Sequence, residues 1–125
     1  MNKLFILAAL LLPCVAQGET WVCTSANVAD EDSLTYLRTF SRQDTGFSTA
    51  LTTPMRPDKN PETFESEMLN ILSETEEMLA LVNVETWVGT EVSIYLINKR
   101  TGAYVIDAVH SMVDIDRAEG QCVEV

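Results

Sequence analysis

Few side chains in this chain are suited to chemistry. Its 125 residues include one histidine, His110, and three cysteines, Cys14, Cys23 and Cys122. A lone histidine leaves no multi-histidine zinc site and limits catalytic triads. Asp107 precedes His110 by three positions, and residues three apart on a strand point to opposite faces, so Asp107 does not orient the imidazole. Asp114, Asp116 and Glu119 beside Gly120 form a fragment of an oxygen-rich calcium loop, but Ala118 takes a ligand position and the glycine falls one place late. They read as a solvated acidic turn. Serine-nucleophile motifs, phosphate-cradling glycine loops and Cys-x-x-Cys pairs do not occur. The sequence therefore points to a protein that is not an enzyme and uses neither metal nor cofactor.

Charge is more informative. Eight glutamates lie between Glu62 and Glu91 (Glu62, Glu65, Glu67, Glu74, Glu76, Glu77, Glu85 and Glu91) with no lysine or arginine among them. The bases Arg38, Arg42, Arg56, Lys59, Lys99, Arg100 and Arg117 fall outside the tract. Such segregation produces a negative field suited to docking a cationic protein. Glu67, Glu74, Glu76 and Glu77 are the candidate contact residues. Nucleic acid and anionic lipid surfaces are poor partners for so acidic a chain.

The chain starts Met1-Asn2-Lys3 and continues with an apolar run from Leu4 to Leu12. A cationic start and a short hydrophobic stretch are the marks of a secretory signal peptide. Pro13 ends the run well short of the roughly 20 residues that a membrane-spanning helix needs. Ala16 and Gly18 supply small residues for cleavage after Gly18, with Ala16 as the alternative position. The division expected is a signal peptide over 1–18 and a single acidic domain over 19–125, periplasmic or secreted and without a membrane anchor after cleavage. Cleavage removes Lys3 and Cys14. Nineteen acids then face seven bases, a net charge of −12, and Cys23 and Cys122 remain as one disulfide pair in an oxidising compartment.

These groups have to be positioned by a domain of about 107 residues, enough for one hydrophobic core. Glu19–Thr24 reads as a short strand. Leu34, Tyr36 and Phe40 share one strand face with Arg38, Gln43–Gly46 forms a turn, and Phe47–Thr53 returns. After a connector from Pro54 to Pro61, Asn60 caps and Pro61 opens an expected amphipathic helix. Phe64, Met68, Ile71, Leu72, Thr75, Met78, Leu79 and Val82 supply its apolar stripe at three- and four-residue steps. A long strand follows from Val84 to Leu96, bulged at Gly89, with Val84, Val92, Ile94 and Leu96 on its apolar face. Asn98–Gly102 closes a hairpin, Ala103–Met112 pairs back, Asp116–Gly120 turns, and Gln121–Val125 carries Cys122 in a last strand. The fold class expected is α+β: an antiparallel sheet of about six strands in the order β-β-β-α-β-β-β, with one long helix packed on it.

Trp21 and Cys23 near the start of the domain, the aromatic hairpins and the cysteine near the end loosely resemble small periplasmic inhibitors of c-type lysozyme. Their Ser-Gly-x-x-Tyr loop is represented by Thr101-Gly102-Ala103-Tyr104, one residue short, and a long helix is no part of their barrel. No functional residue is carried over from that resemblance. The function expected is a binding or inhibitory module that docks a cationic protein through its acidic surface. The alternative is an accessory envelope protein whose charge serves solubility, and a small enzyme comes third. Mass spectrometry of the exported protein should find a chain starting at Glu19 or Gln17, two hydrogens lighter than its reduced mass. Retention of Cys14 or free thiols would contradict the reading.

Overall fold

The computed structural model describes residues 19–28, 34–54, 56–86, 89–110 and 113–125. The expected signal peptide lies outside the described residues, as do residues 29–33 and Trp87. Eight strands run in sequence: β1 (Thr20–Asn27), β2 (Tyr36–Arg42), β3 (Phe47–Thr52), β4 (Thr63–Glu74), β5 (Met78–Glu85), β6 (Glu91–Asn98), β7 (Ala103–His110) and β8 (Val113–Glu124). Each pairs antiparallel with the next, and β8 pairs with β1 to close a barrel. The α+β expectation is overturned, because the described residues contain no helix.

The expected helix is a β-hairpin. Its strands, β4 and β5, meet at a turn where Thr75 N donates to Met78 O at 2.8 Å and Thr75 Oγ1 accepts from the Met78 and Glu77 amides at 3.0 and 3.2 Å. The expected stripe mixes residues of both strand faces, and two bulges, both of which insert their extra residue into β4, break the alternation that would have marked it as a strand. Phe47 pairs with Leu69 but Thr49 with Ser66, and Leu81 pairs with Ile71 but Ala80 with Ser73. Each bulge turns a step of two into a step of three. Burial confirms which residues were meant for the interior. Leu69, Leu79 and Leu81 are fully buried, whereas Phe64, Met68 and Leu72 of the supposed stripe are exposed.

Two further expectations change. The long strand from Val84 to Leu96 is divided between β5 and β6, with Gly89 in the connecting turn. Its faces are also exchanged, since Ser93, Tyr95 and Ile97 point inward and are buried while Val92, Ile94 and Leu96 lie outside. On the outer wall these aliphatics pack side by side with register partners, Leu96 between Ala80 and Val105 and Val92 between Val84 and Val109. At the other site, Asp116–Gly120 is not a turn but the middle of β8. A Cβ on Gly120 would stand 1.6 Å from the Thr24 carbonyl oxygen, so only glycine lets β8 approach β1 this closely.

The core fills the half of the barrel that bears the turns 43–46, 75–77 and 99–102, here the closed end. Phe40 packs edge-on against Tyr95 and Tyr104, with centroids 5.4 and 5.8 Å apart, among Trp21, Phe47, Leu69, Leu79, Leu81 and Ile97. The expected Cys23–Cys122 disulfide is present, and its two residues are direct register partners across the β1–β8 seam. The bridge is consistent with an oxidising, extracytoplasmic environment. It joins residues 99 apart in sequence, a loop for which the chain-entropy model gives about 4.7 kcal/mol. The double substitution Cys23→Ser/Cys122→Ser should lower unfolding free energy by about 2–5 kcal/mol in urea titration, while the far-ultraviolet circular dichroism of the folded protein stays that of a sheet.

Candidate functional site

The acidic tract runs from Glu62, just before β4, through β4, the β4–β5 turn and β5 to Glu91 at the start of β6. Glu74 ends β4, Glu76 and Glu77 lie in the turn, and Glu67 is within β4 with its side chain outside the described residues. The barrel brings bases to these acids that are remote along the chain. Glu74 accepts from Lys99 Nζ at 2.7 Å and from Arg42, while Glu77 pairs with Arg100. Arg42 also bonds Glu19, with Nε 2.9 Å from Oε1, and lies 4.7 Å from the Phe47 ring centroid. Glu19 in turn accepts from Trp21 Nε1 at 3.0 Å. Glu19, Arg42, Glu74 and Lys99 thus form a polar lid over the aromatic core at the closed end, and Glu74 belongs to it.

The lid shifts the acidity of its members. Burial works against the charged form of Glu19, but the bonds from Arg42 and Trp21 outweigh it and hold the carboxyl below the usual glutamate range. Bonds from Lys99 and Arg42 hold Glu74 low as well. Burial, with Glu19 nearby, pushes Glu124 up.

Glu62 pairs with Lys59 at 3.8 Å, but at the β5–β6 connection the tract is uncompensated. Glu85 and Glu91 are direct register partners at the mouth of the β5–β6 hairpin, where like charges destabilise a sheet. Asn83 Nδ2 donates to Glu85 Oε1 at 3.2 Å, and neither glutamate has an ion-pair partner among the described residues. Glu91 is also in register with His110 of β7. Even so, no group of three or more acidic, histidine or cysteine side chains able to hold a metal occurs among the described residues. The side chains of Asp114 and Asp116 lie outside them.

A feature not singled out from sequence stands at the opposite, open end of the barrel. There the interior turns polar, with Ser25 and Thr49 buried. A cavity of about 270 Å³ opens between Ser25, Asn27, Tyr36, Arg38, Ile106 and Ala118. Arg38 projects inward from β2, its guanidinium 5.1 Å from the Tyr95 ring centroid and its Nη1 3.3 Å from Thr49 Oγ1. The signal was visible in the alternation of β2, since a charged residue on the face that carries Tyr36 and Phe40 is a buried polar group in waiting.

No family model, no curated protein and no solved structure matches the chain.

The acid response of the lid follows from its shifts. A carboxyl held low in the fold contributes stability that is fully present above its unfolded value, about 4.3 for glutamate, and is lost as pH falls through its folded value. Glu124, raised in the fold, contributes in the opposite direction. Thermal melts between about pH 3 and 6 should therefore show stability falling below about pH 4.3, and Arg42→Met should flatten that fall by releasing Glu19 and leaving Glu74 to Lys99 alone. An unchanged slope in the variant would mean the lid does not set the acid limb.

Proposed function

We propose that this chain is an exported binding module of inhibitory type, which docks a cationic protein through its acidic surface. The observation that carries the reading is the Glu85–Glu91 pair. Two like charges face each other across a hairpin without a cation among the described residues, so sheet stability does not account for them. Glu76, exposed in the β4–β5 turn, extends the candidate surface, whereas Glu74 and Glu77 meet a partner only in competition with Arg42, Lys99 and Arg100. A second support is architectural. The helix that set this chain apart from the barrel of the periplasmic lysozyme inhibitors is absent from the described residues, and the end-to-end cysteine layout that resembles them is joined as a disulfide. The rival reading, an accessory envelope protein, assigns the charge to solubility alone.

The cationic probe indicated by that resemblance is a c-type lysozyme. The mature, oxidised protein should bind it at low salt and release it as salt rises, as screened charge contacts do. Glu85→Gln/Glu91→Gln should weaken binding roughly two- to tenfold while raising the melting temperature, a pair of opposite responses that a purely structural role would not give. Absence of any complex at low salt, or binding indifferent to the substitutions, would favour the accessory role.

A further inference from the structure

The open-end cavity raises a question that the acidic surface does not answer. The chain has far more acids than bases, and among the described residues Arg42, Lys59, Lys99, Arg100 and Arg117 each have a carboxylate partner. Arg117, on the cavity wall, is held by both oxygens of Asp107 at 2.9 and 3.1 Å. Arg56, exposed, and Arg38, half-buried, have none among the described residues. The charge of Arg38 rests on the Tyr95 ring and on one hydroxyl, Thr49, and its Nε is shielded from water without an acceptor. Burying a guanidinium without a counter-anion is costly. The fold retains this one in a chain where carboxylates are abundant.

A second group shares the anomaly. Tyr104 is 1% exposed, and its hydroxyl lies against Arg38 with no acceptor for its own proton. It projects inward one strand step deeper than Ile106, a cavity-lining residue, and close enough to Arg38 for the guanidinium to act on its ionisation. Burial pushes that ionisation well above the tyrosine range, so the hydroxyl stays protonated as a donor. Arg38, with its Nε lacking an acceptor and the Tyr104 hydroxyl behind it, thus lines a cavity whose apolar walls are Leu51, Ile106, Ala108 and Ala118. Buried polar groups are ordinarily paired, and convergent donors under apolar walls are the composition of a small-molecule site.

We propose that the open end of the barrel binds a small amphipathic carboxylate, its head meeting Arg38 and its apolar body lying among Leu51, Ile106, Ala108 and Ala118. A carboxylate supplies the acceptor and negative charge that Arg38 lacks, and desolvated charge-assisted bonds of this kind are the strong ones. The apolar walls select against inorganic anions. The volume, below the roughly 300–1,000 Å³ of drug-sized sites, selects a short chain or a single ring. This site is distinct from the acidic protein-docking surface and does not depend on it.

Octanoate, octanol and inorganic phosphate are the probes, titrated into the mature, disulfide-closed protein and followed by amide chemical shifts. Octanoate should shift the amides of Ser25, Ile106, Ala108 and Ala118 and bind at least tenfold more tightly than octanol or phosphate. Arg38→Met, which keeps the stem and removes the charge, should abolish the advantage over octanol. Ala118→Leu, which fills the cavity from the opposite wall and leaves Arg38 intact, should abolish binding altogether, so the idea remains testable if one variant fails to fold. Absence of octanoate binding, equal affinity for octanol, equal affinity for phosphate, or binding that survives both substitutions would each overturn the proposal.

Discussion

The β1–β8 seam is the contact on which every other feature depends. Seven of the eight pairings join strands that follow one another in the chain, and this one joins its two ends. Without it the barrel would be an open sheet with two bare edges, and Phe40, Tyr95 and Tyr104 would have water on one side. Three sequence choices make the seam possible. Gly120 admits the Thr24 carbonyl where any side chain would collide, and Cys23 and Cys122 are brought opposite each other in register. The local pairings form early because they cost little loop closure, and the distant one comes last. In the closed barrel the seam holds the two cysteines in register and the bridge locks it.

The legible parts of this fold were those where local chemistry and tertiary role agree. The alternation of β2, the turn after it and the hairpin at Gly102, whose φ of 80° suits glycine, all emerged where the side chains indicated. The β4–β5 hairpin did not. Its two bulges place inserted residues on one strand and break its alternation, and a stripe drawn from both strand faces then reads as a helix. In β6 the period was right and the face wrong. Val92, Ile94 and Leu96 are the more apolar set, but the narrow interior takes the bulkier Tyr95 with Ile97, and the aliphatics cover the outer wall. Gly120 was misread because a glycine beside acidic residues usually marks a turn, and here it marks a close approach between strands.

The same gap between linear and spatial order governs the charges. Along the chain Glu74 and Glu77 stand in a block free of bases. In the barrel they meet Arg42, Lys99 and Arg100, which come from β2 and the β6–β7 turn. A run of like charge in sequence is thus converted partly into ion pairs, and only acids away from those strand ends, such as Glu85 and Glu91, keep an uncompensated field. Arg38 is the inverse case. Amid surplus acid it sits where no described carboxylate reaches it, and its place on the inner face of β2 was already fixed by Tyr36 and Phe40 on either side.

Closure also decides which way the molecule faces. Val125 N bonds Thr20 O at 2.9 Å, so the first and last described residues lie together at the end sealed by the polar lid. The Arg38 cavity opens at the other end, beyond strands of about eight residues, which at roughly 3.3 Å per residue and with the tilt of a barrel is some 20 Å away. Glu19 and Val125 therefore both lie at the lid end of the barrel, away from the Arg38 cavity.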